Sequence, residues 1–207
     1  MNDLLSVVSV DVLALTYDPT TRRVLLGLYR RPDEPFAGQL CLPGVVLHSG
    51  ERLAGAGRRA LLKLGLVEPD VLRQVHTFDE PLRDPRGPSL SVALCAVLAW
   101  PAAGASGAVF IPVGGDALPR LGFDHSDIVR TCLARIGALL WRDLELSKAL
   151  LPSEFQTVDA RAITRDITGV DPSLPNLNRT LDALPGVRRV GQVAEGRGRP
   201  VTVRTFD

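Results

Sequence analysis

Residues 6–17, SVVSVDVLALTY, are rich in valine and leucine, which predicts a buried strand. A turn-forming DPTT comes next at 18–21, and RVLLGLYRR at 23–31 predicts the returning strand of a hairpin. RPDEPFAG is a Pro/Gly loop, and QLCLPG is a short strand closed by Pro43-Gly44. From 51 to 64 the period changes. Leu53, Ala56, Ala60, Leu61 and Leu64 gather near one face of a predicted helix. Gly55 and Gly57 lie inside it and weaken it by about 1 kcal/mol each relative to alanine. VLRQVHTFDEPL predicts a strand entering a loop, RDPRGP a turn-rich loop, SLSVALCAVLAW at 89–100 a long buried strand, and VFIPV at 109–113 another. AAGASGA at 102–108 reads as a flexible loop. Ile128, Cys132, Ile136 and Leu139 recur at helical steps, predicting one helix over 125–148.

LLPSEF at 150–155 interrupts the pattern, and the order of elements changes beyond it. TVDARAITRDITG predicts a helix, DPSLP a turn, NLNRTLDAL at 176–184 a second helix, and VRRVGQVAEGRGRPVTVRTF at 187–206 two strands around a Gly/Arg-rich tip. Helix, turn, helix and β-ribbon in under 60 residues is the pattern of a winged helix-turn-helix. The expected division is a first domain over 1–148 and a small second one over 149–207. In the second, Asn176, Asn178 and Arg179 are candidates for the major groove, and Arg197 and Arg199 at the ribbon tip for phosphates or the minor groove. Arg188 and Arg189 read as ordinary surface charge.

Composition narrows this little. The chain has 207 residues, 24 basic against 23 acidic, and a 45% hydrophobic fraction that can supply a sizeable core. Between 174 and 207 six arginines face three acidic residues, a local excess of three positive charges. Cys41, Cys95 and Cys132 are dispersed and unpaired in spacing, as in a reducing cytoplasm, and suggest neither disulfides nor a metal site. The N-terminal stretch carries Asp3 and Asp11 and has no basic flank, unlike a secretion signal, and no apolar run is long enough for a membrane span. His48, His76 and His125 have no metal-ligand spacing; His125 falls at a helix start, with Asp124 or Ser126 as candidate caps.

The stretch GVVLHSGERLAGAGRRALLKLGL, 44–66, resembles the signature of the Nudix fold family. Gly44 takes its first position, Arg58 its arginine, and Gly65-Leu66 its end. Its carboxylates are missing. Gly50 stands where the first glutamate belongs, with Glu51 one step late; Arg59 replaces the next, and Leu62 and Lys63 replace the glutamate pair. Positions at these spacings share one helix face, and three carboxylates there hold Mg²⁺, which takes hard oxygen ligands. A face of Arg59, Leu62 and Lys63 repels it. No catalytic residue, metal ligand or cofactor is therefore expected. Glu51 reads as a first-turn carboxylate behind a Ser49 cap. With the metals gone, Arg59 and Lys63 could neutralise a diphosphate themselves. The alternative is an active pyrophosphatase with carboxylates relocated to Glu51, Glu68, Asp79, Glu80 or Asp84.

FAGQLCLP at 36–43, QVHTF at 74–78 and RDPRG at 83–87 are similar to the branch of the family that handles ADP-ribose. Guanidinium groups suit diphosphate because they pair bidentately with its oxygens. Arg30, Arg31, Arg83 and Arg86 are the candidates, each equally compatible with a solvated loop position. Phe36 and Phe78 could stack on a base or serve the core.

Leu151-Pro152-Ser-Glu-Phe155, Asn176-Leu177-Asn178-Arg179 and Gly198-Arg199-Pro200, in that order behind a Nudix-like segment, resemble the Nudix-related transcriptional regulators, best known as repressors of NAD-metabolism genes. Leu177 replaces an aromatic residue of that family, and its recognition helix is more basic. The resemblance implies an α+β chain: a Nudix-type α/β/α sandwich with a mixed sheet, then a winged helix. It implies DNA with a palindromic operator as partner, ADP-ribose or a related nucleotide as effector, a homodimer and a cytoplasmic location.

Overall fold

The structure is a computed structural model; it describes residues 6–66, 68–101, 108–115, 118–193 and 201–207. Its frame is a seven-stranded mixed sheet. Strand β1 (Val7–Asp18) returns as β2 (Arg23–Arg30), and β2 pairs with both β3 (Leu40–Cys41) and β7 (Ala108–Pro112). On its other side β1 runs parallel to β6 (Ser89–Val97), which pairs antiparallel with β5 (Val71–Phe78). The short β4 (Gly44–Val46) pairs with the start of β1.

The period-two alternation of β1 divides the core. Val10, Val12 and Ala14 point to one face, where helix α1 (Leu53–Leu61) and a 3-10 turn (Leu62–Leu64) bury Ala56, Ala60, Leu61 and Leu64. Leu13, Leu15 and Tyr17 point to the other, under α2 (His125–Leu139), α3 (Leu144–Leu150) and α4 (Thr157–Thr168). This is an α/β/α sandwich. Gly57, which costs the helix propensity, is where α1 meets the sheet: a Cβ there would lie 2.6 Å from Leu94 Cδ1.

The expected single helix over 125–148 is two. The chain turns at Trp141, whose φ is 64°, and Asp143 restarts it by accepting from the Leu146 N–H at 3.1 Å. The LLPSEF break is also structured: Leu150 ends α3, and β8 (Glu154–Gln156) is a strand. α5 (Leu174–Asp182) begins two residues earlier than expected, with Pro175 in its first turn. Strands β9 (Val187–Val193) and β10 (Val201–Phe206) complete a second sheet in the order β8-β10-β9.

The two sheets share one core, in which Ile163 and Ile167 of α4 and Leu177 and Leu181 of α5 continue the cluster under β1 and β2. Polar bonds pin the same seam. The buried Asp166 accepts from Arg23 Nε and from the Val24 N–H, both at 2.9 Å. Tyr17 donates to Asp159 at 2.8 Å. Gly114 has no room for a side chain against Asp166. Among the described residues no helix is long and apolar enough to cross a membrane. Cys41, Cys95 and Cys132 are buried thiols, and burial pushes the last two up to about 12.

Candidate functional site

The loops around β1, β4 and the start of α2 enclose a cleft of about 160 Å³. Its floor is a buried polar cluster centred on Asp11, which accepts from Ser91 Oγ at 2.6 Å. A side chain at Gly44 would place Cβ 2.0 Å from Asp11 Oδ1, so glycine here is a steric requirement of that carboxylate. His125 begins α2. Its Nδ1 accepts the Leu42 N–H at 3.0 Å, which leaves the ring proton on Nε2, 3.6 Å from Asp11 Oδ1. Burial pushes the His125 pKa down, so the ring is neutral. Arg83, 4% exposed, donates to both Asp124 oxygens at 2.9 Å and lies 3.6 Å from Asp11 Oδ2. Asp124 thus holds Arg83 and does not cap α2; Ser126 accepts the Leu121 N–H.

Lys63 enters from the 3-10 turn. Its ammonium donates to the Gly44 carbonyl at 2.5 Å and sits 4.9 Å from the Tyr29 ring centre; partial loss of water, then Arg31, pushes its pKa down. Arg31 donates to the Pro35 carbonyl at 2.7 Å, and Arg86 holds Asp84 bidentately at 3.0 and 2.7 Å. The lining carries Arg31, Lys63, Arg83 and Arg86 against Asp11 and Asp84, an excess of two positive charges.

Four of the eight expected ligand residues therefore meet, and four do not. Arg30 points away to the Gly38 carbonyl at 2.7 Å. Phe78 sits edge-on to His76 at 4.9 Å, at the end of β5. Phe36 lies behind the lining, 4.6 Å from Phe123. Arg59 is spent on Glu51, to which it donates at 3.1 and 2.7 Å, with a further bond to the Val46 carbonyl at 2.8 Å. Glu51 is not in the helix and Ser49 does not cap it: α1 starts at Leu53 behind Arg52. The Arg59 guanidinium holds the Glu51 carboxyl down to about 2. The expectation missed Asp11, Tyr29, Phe123 and His125. Asp11 carried a signal, being the one charge inside the apolar β1 run, where it needs partners.

These residues do not fit a divalent metal. Among the described residues no three His, Cys, Asp or Glu side chains gather in one place. The alternative carboxylates are scattered: Glu51 is on Arg59, Glu68 on Arg58 and Asp84 on Arg86, while Asp79 and Glu80 are exposed in the loop after β5.

In the second sheet's helices, Asn176 and Arg179 are exposed and bonded to each other. Asn178 turns inward and accepts from Thr157 Oγ1 at 2.5 Å and from Arg204 Nη2 at 2.9 Å, so it does not present itself to a groove. Arg204 is buried, and Arg188, Arg189 and Arg204 are paired with Asp207 or Asp182, which offsets the local positive excess. Arg197 and Arg199 lie outside the described residues, as does most of the 102–108 loop.

No protein-family model matches the chain. An ADP-ribose pyrophosphatase of Methanocaldococcus jannaschii is 32% identical over 107 residues, which span 50% of this chain and 62% of that protein. Shewanella oneidensis NrtR, solved in complex with a 27mer DNA, is similar over 97% of this chain and 93% of its own, with a TM-score of 0.78 at 21% identity. The NUDIX domain of the same NrtR, solved with ADP ribose, covers 64% of this chain and 90% of its own at 26% identity, with a TM-score of 0.56. The chain has the Nudix fold, extended along nearly its whole length as in the NrtR structure.

Proposed function

We propose that the chain is a transcriptional regulator that binds DNA through its C-terminal helices and ribbon and senses ADP-ribose or a related nucleotide diphosphate in the cleft, without metal and without turnover. The observation that carries this reading is Lys63: its ammonium lines the cleft from the helix segment where the Nudix signature calls for carboxylates. With Arg31 and Arg86 it offers a diphosphate three positive groups, two of them planar forks suited to phosphate oxygens. Arg83, fixed on Asp124, contributes charge and holds the floor. The likeness to an NrtR solved with DNA and to its NUDIX domain solved with ADP ribose supports both partners. Asn176 and Arg179 are exposed groups of α5 offered to DNA, and Arg197 and Arg199 are assigned the same role from their sequence. Such a small module acts as a two-fold dimer on a palindromic site, and effector binding changes DNA affinity by favouring one dimer arrangement; repression is the expected sense.

The test is capture of sheared genomic DNA by the purified full chain at near-physiological salt, with and without ADP-ribose, and sequencing of the recovered fragments. A shared inverted repeat whose recovery changes with ADP-ribose is expected. Scattered, salt-labile fragments together with Mg²⁺-dependent hydrolysis of ADP-ribose would instead support a pyrophosphatase, the activity of the 32% identical relative.

A further inference from the structure

Phe123 is held in the cleft against its own backbone preference. Its φ is 56°, a left-handed conformation that a bulky side chain avoids and that persists only where neighbours impose it. The neighbours are identifiable. Gly122 donates to the Leu40 carbonyl at 3.0 Å, and a Cβ on Gly122 would approach Cys41 Sγ to 2.8 Å. On the other side Asp124 is gripped by Arg83, and His125 is bonded to the Leu42 N–H. Fixed at both ends, the segment aims the ring into the lining, with Phe36 packed against it.

The ring now carries two guanidinium groups, Arg31 at 5.2 Å and Arg86 at 5.5 Å from its centre. They are held differently. Arg31 is tied to the backbone at Pro35 and Glu34, whereas Arg86 is 56% exposed and, among the described residues, bonded within its own loop, to Asp84. At about 160 Å³ the cleft is smaller than the roughly 300 Å³ that small-molecule pockets usually reach, so a nucleotide needs space that a side chain now fills. Arg86 is the side chain able to yield it. A guanidinium plane over an aromatic ring is chemically a stand-in for a nucleobase, since both stack on the same π face.

Resting on the effector reading above, we infer that Phe123 is the specificity-determining residue of the cleft. It stacks on the base of a nucleoside diphosphate once the phosphates draw Arg86 off the ring. Phosphates supply attraction to the cations, and Phe123 selects ligands that carry a flat base.

Titration calorimetry on the full chain in metal-free buffer, with ADP-ribose and inorganic pyrophosphate as probes, tests this. Phe123→Leu keeps the strained backbone and an apolar side chain of similar reach but removes the π face. It should weaken ADP-ribose binding roughly tenfold and leave pyrophosphate binding unchanged, because both arginines keep their other partners; Phe123→Tyr should retain wild-type affinity. Equal ADP-ribose affinity in Phe123→Leu and wild type would overturn the inference. So would an equal loss for both probes, which would make Phe123 a positioning residue for the arginines. Wild-type protein that binds pyrophosphate but gains nothing from the adenosine end also overturns it. Wild-type protein that binds neither probe defeats the effector reading itself and this inference with it.

Discussion

Asp166→Ala tests whether the C-terminal helices are one cooperative body with the seven-stranded sheet. The Asp166 side chain is 2% exposed and sits at the seam between α4 and the β1–β2 hairpin. Alanine removes the acceptor of the Val24 N–H and of Arg23 Nε. A buried N–H left without a partner costs about 1–3 kcal/mol. Breaking a fully buried ion pair costs about 3–5 kcal/mol. Arg23 is 33% exposed and keeps its bond to the Gly114 carbonyl at 2.7 Å, so water and that carbonyl recover most of the second cost. The net loss comes to about 2–4 kcal/mol, which in a chain of this size lowers Tm by roughly 5–15 °C. Scanning calorimetry at pH 7 should show one transition in both proteins, displaced as a whole, because the core is continuous from Leu13 to Leu181. A Tm shift of less than about 2 °C, or a separate early transition that leaves the remainder unmoved, would refute the shared-core reasoning.

Three further outcomes are expected from the cleft. Lys63→Met should reduce ADP-ribose affinity at least roughly tenfold in EDTA, the value of one charge-assisted contact, and added Mg²⁺ should not improve wild-type binding; equal affinities measured by calorimetry would remove Lys63 from the site. The His125 pKa lies below its ordinary 6.5 in the folded state, so on acidification the unfolded chain takes the proton first: stability is complete above about pH 6.5 and is lost as pH falls below it. Wild-type Tm should therefore fall between pH 7 and 5, and the slope should flatten in His125→Asn. Gly44→Ala drives Cβ into Asp11 and should lower the urea midpoint by the equivalent of about 2 kcal/mol or more; an unchanged midpoint would contradict the placement of Asp11 under β4.

The long strands were legible because each apolar run had a turn at its ends, whereas the three-residue β4 and β8 were not, and the sandwich was implied by the Nudix resemblance, with the long run of β1 buried on both of its faces. The break at 140–143 was not legible from periodicity. Leu139, Leu140, Leu144, Leu146 and Leu150 keep apolar residues coming at helical steps straight through the turn. What ends the helix is local polar chemistry, the Asp143 side chain on Leu146 and the Ser147 hydroxyl on Trp141. The C-terminal module carries the same lesson. Asn178 lies on the helix expected to read DNA, yet a buried arginine 26 residues later, Arg204, claims its oxygen. No local pattern announces that a charged residue in a terminal strand will be buried.

Arg59 and Lys63 show how far residue type alone reaches into a site. They lie four positions apart, on one helix face by spacing, and carry the same charge. Their fates separate on what each can reach. The Arg59 fork finds Glu51 and the Val46 carbonyl at the outer rim and is consumed there. The Lys63 stem passes Tyr29 and delivers its ammonium to Gly44, one residue type that cannot shield it from the cleft. The shift of a single acidic residue, Glu51, one position late in the signature thus accomplishes two things. It removes a carboxylate from the position where the Nudix signature has one, and it ties Arg59 to the rim, so that under the proposed function the cationic role of that face falls to Lys63 with the loop arginines opposite. Reversing only that pairing, with Glu51→Gln, should loosen Arg59 from the rim while leaving Lys63 in place. An ADP-ribose affinity that stays the same would then mean the cleft is complete with Lys63 alone. An increase would mean that Arg59 is a diphosphate ligand held in reserve by Glu51.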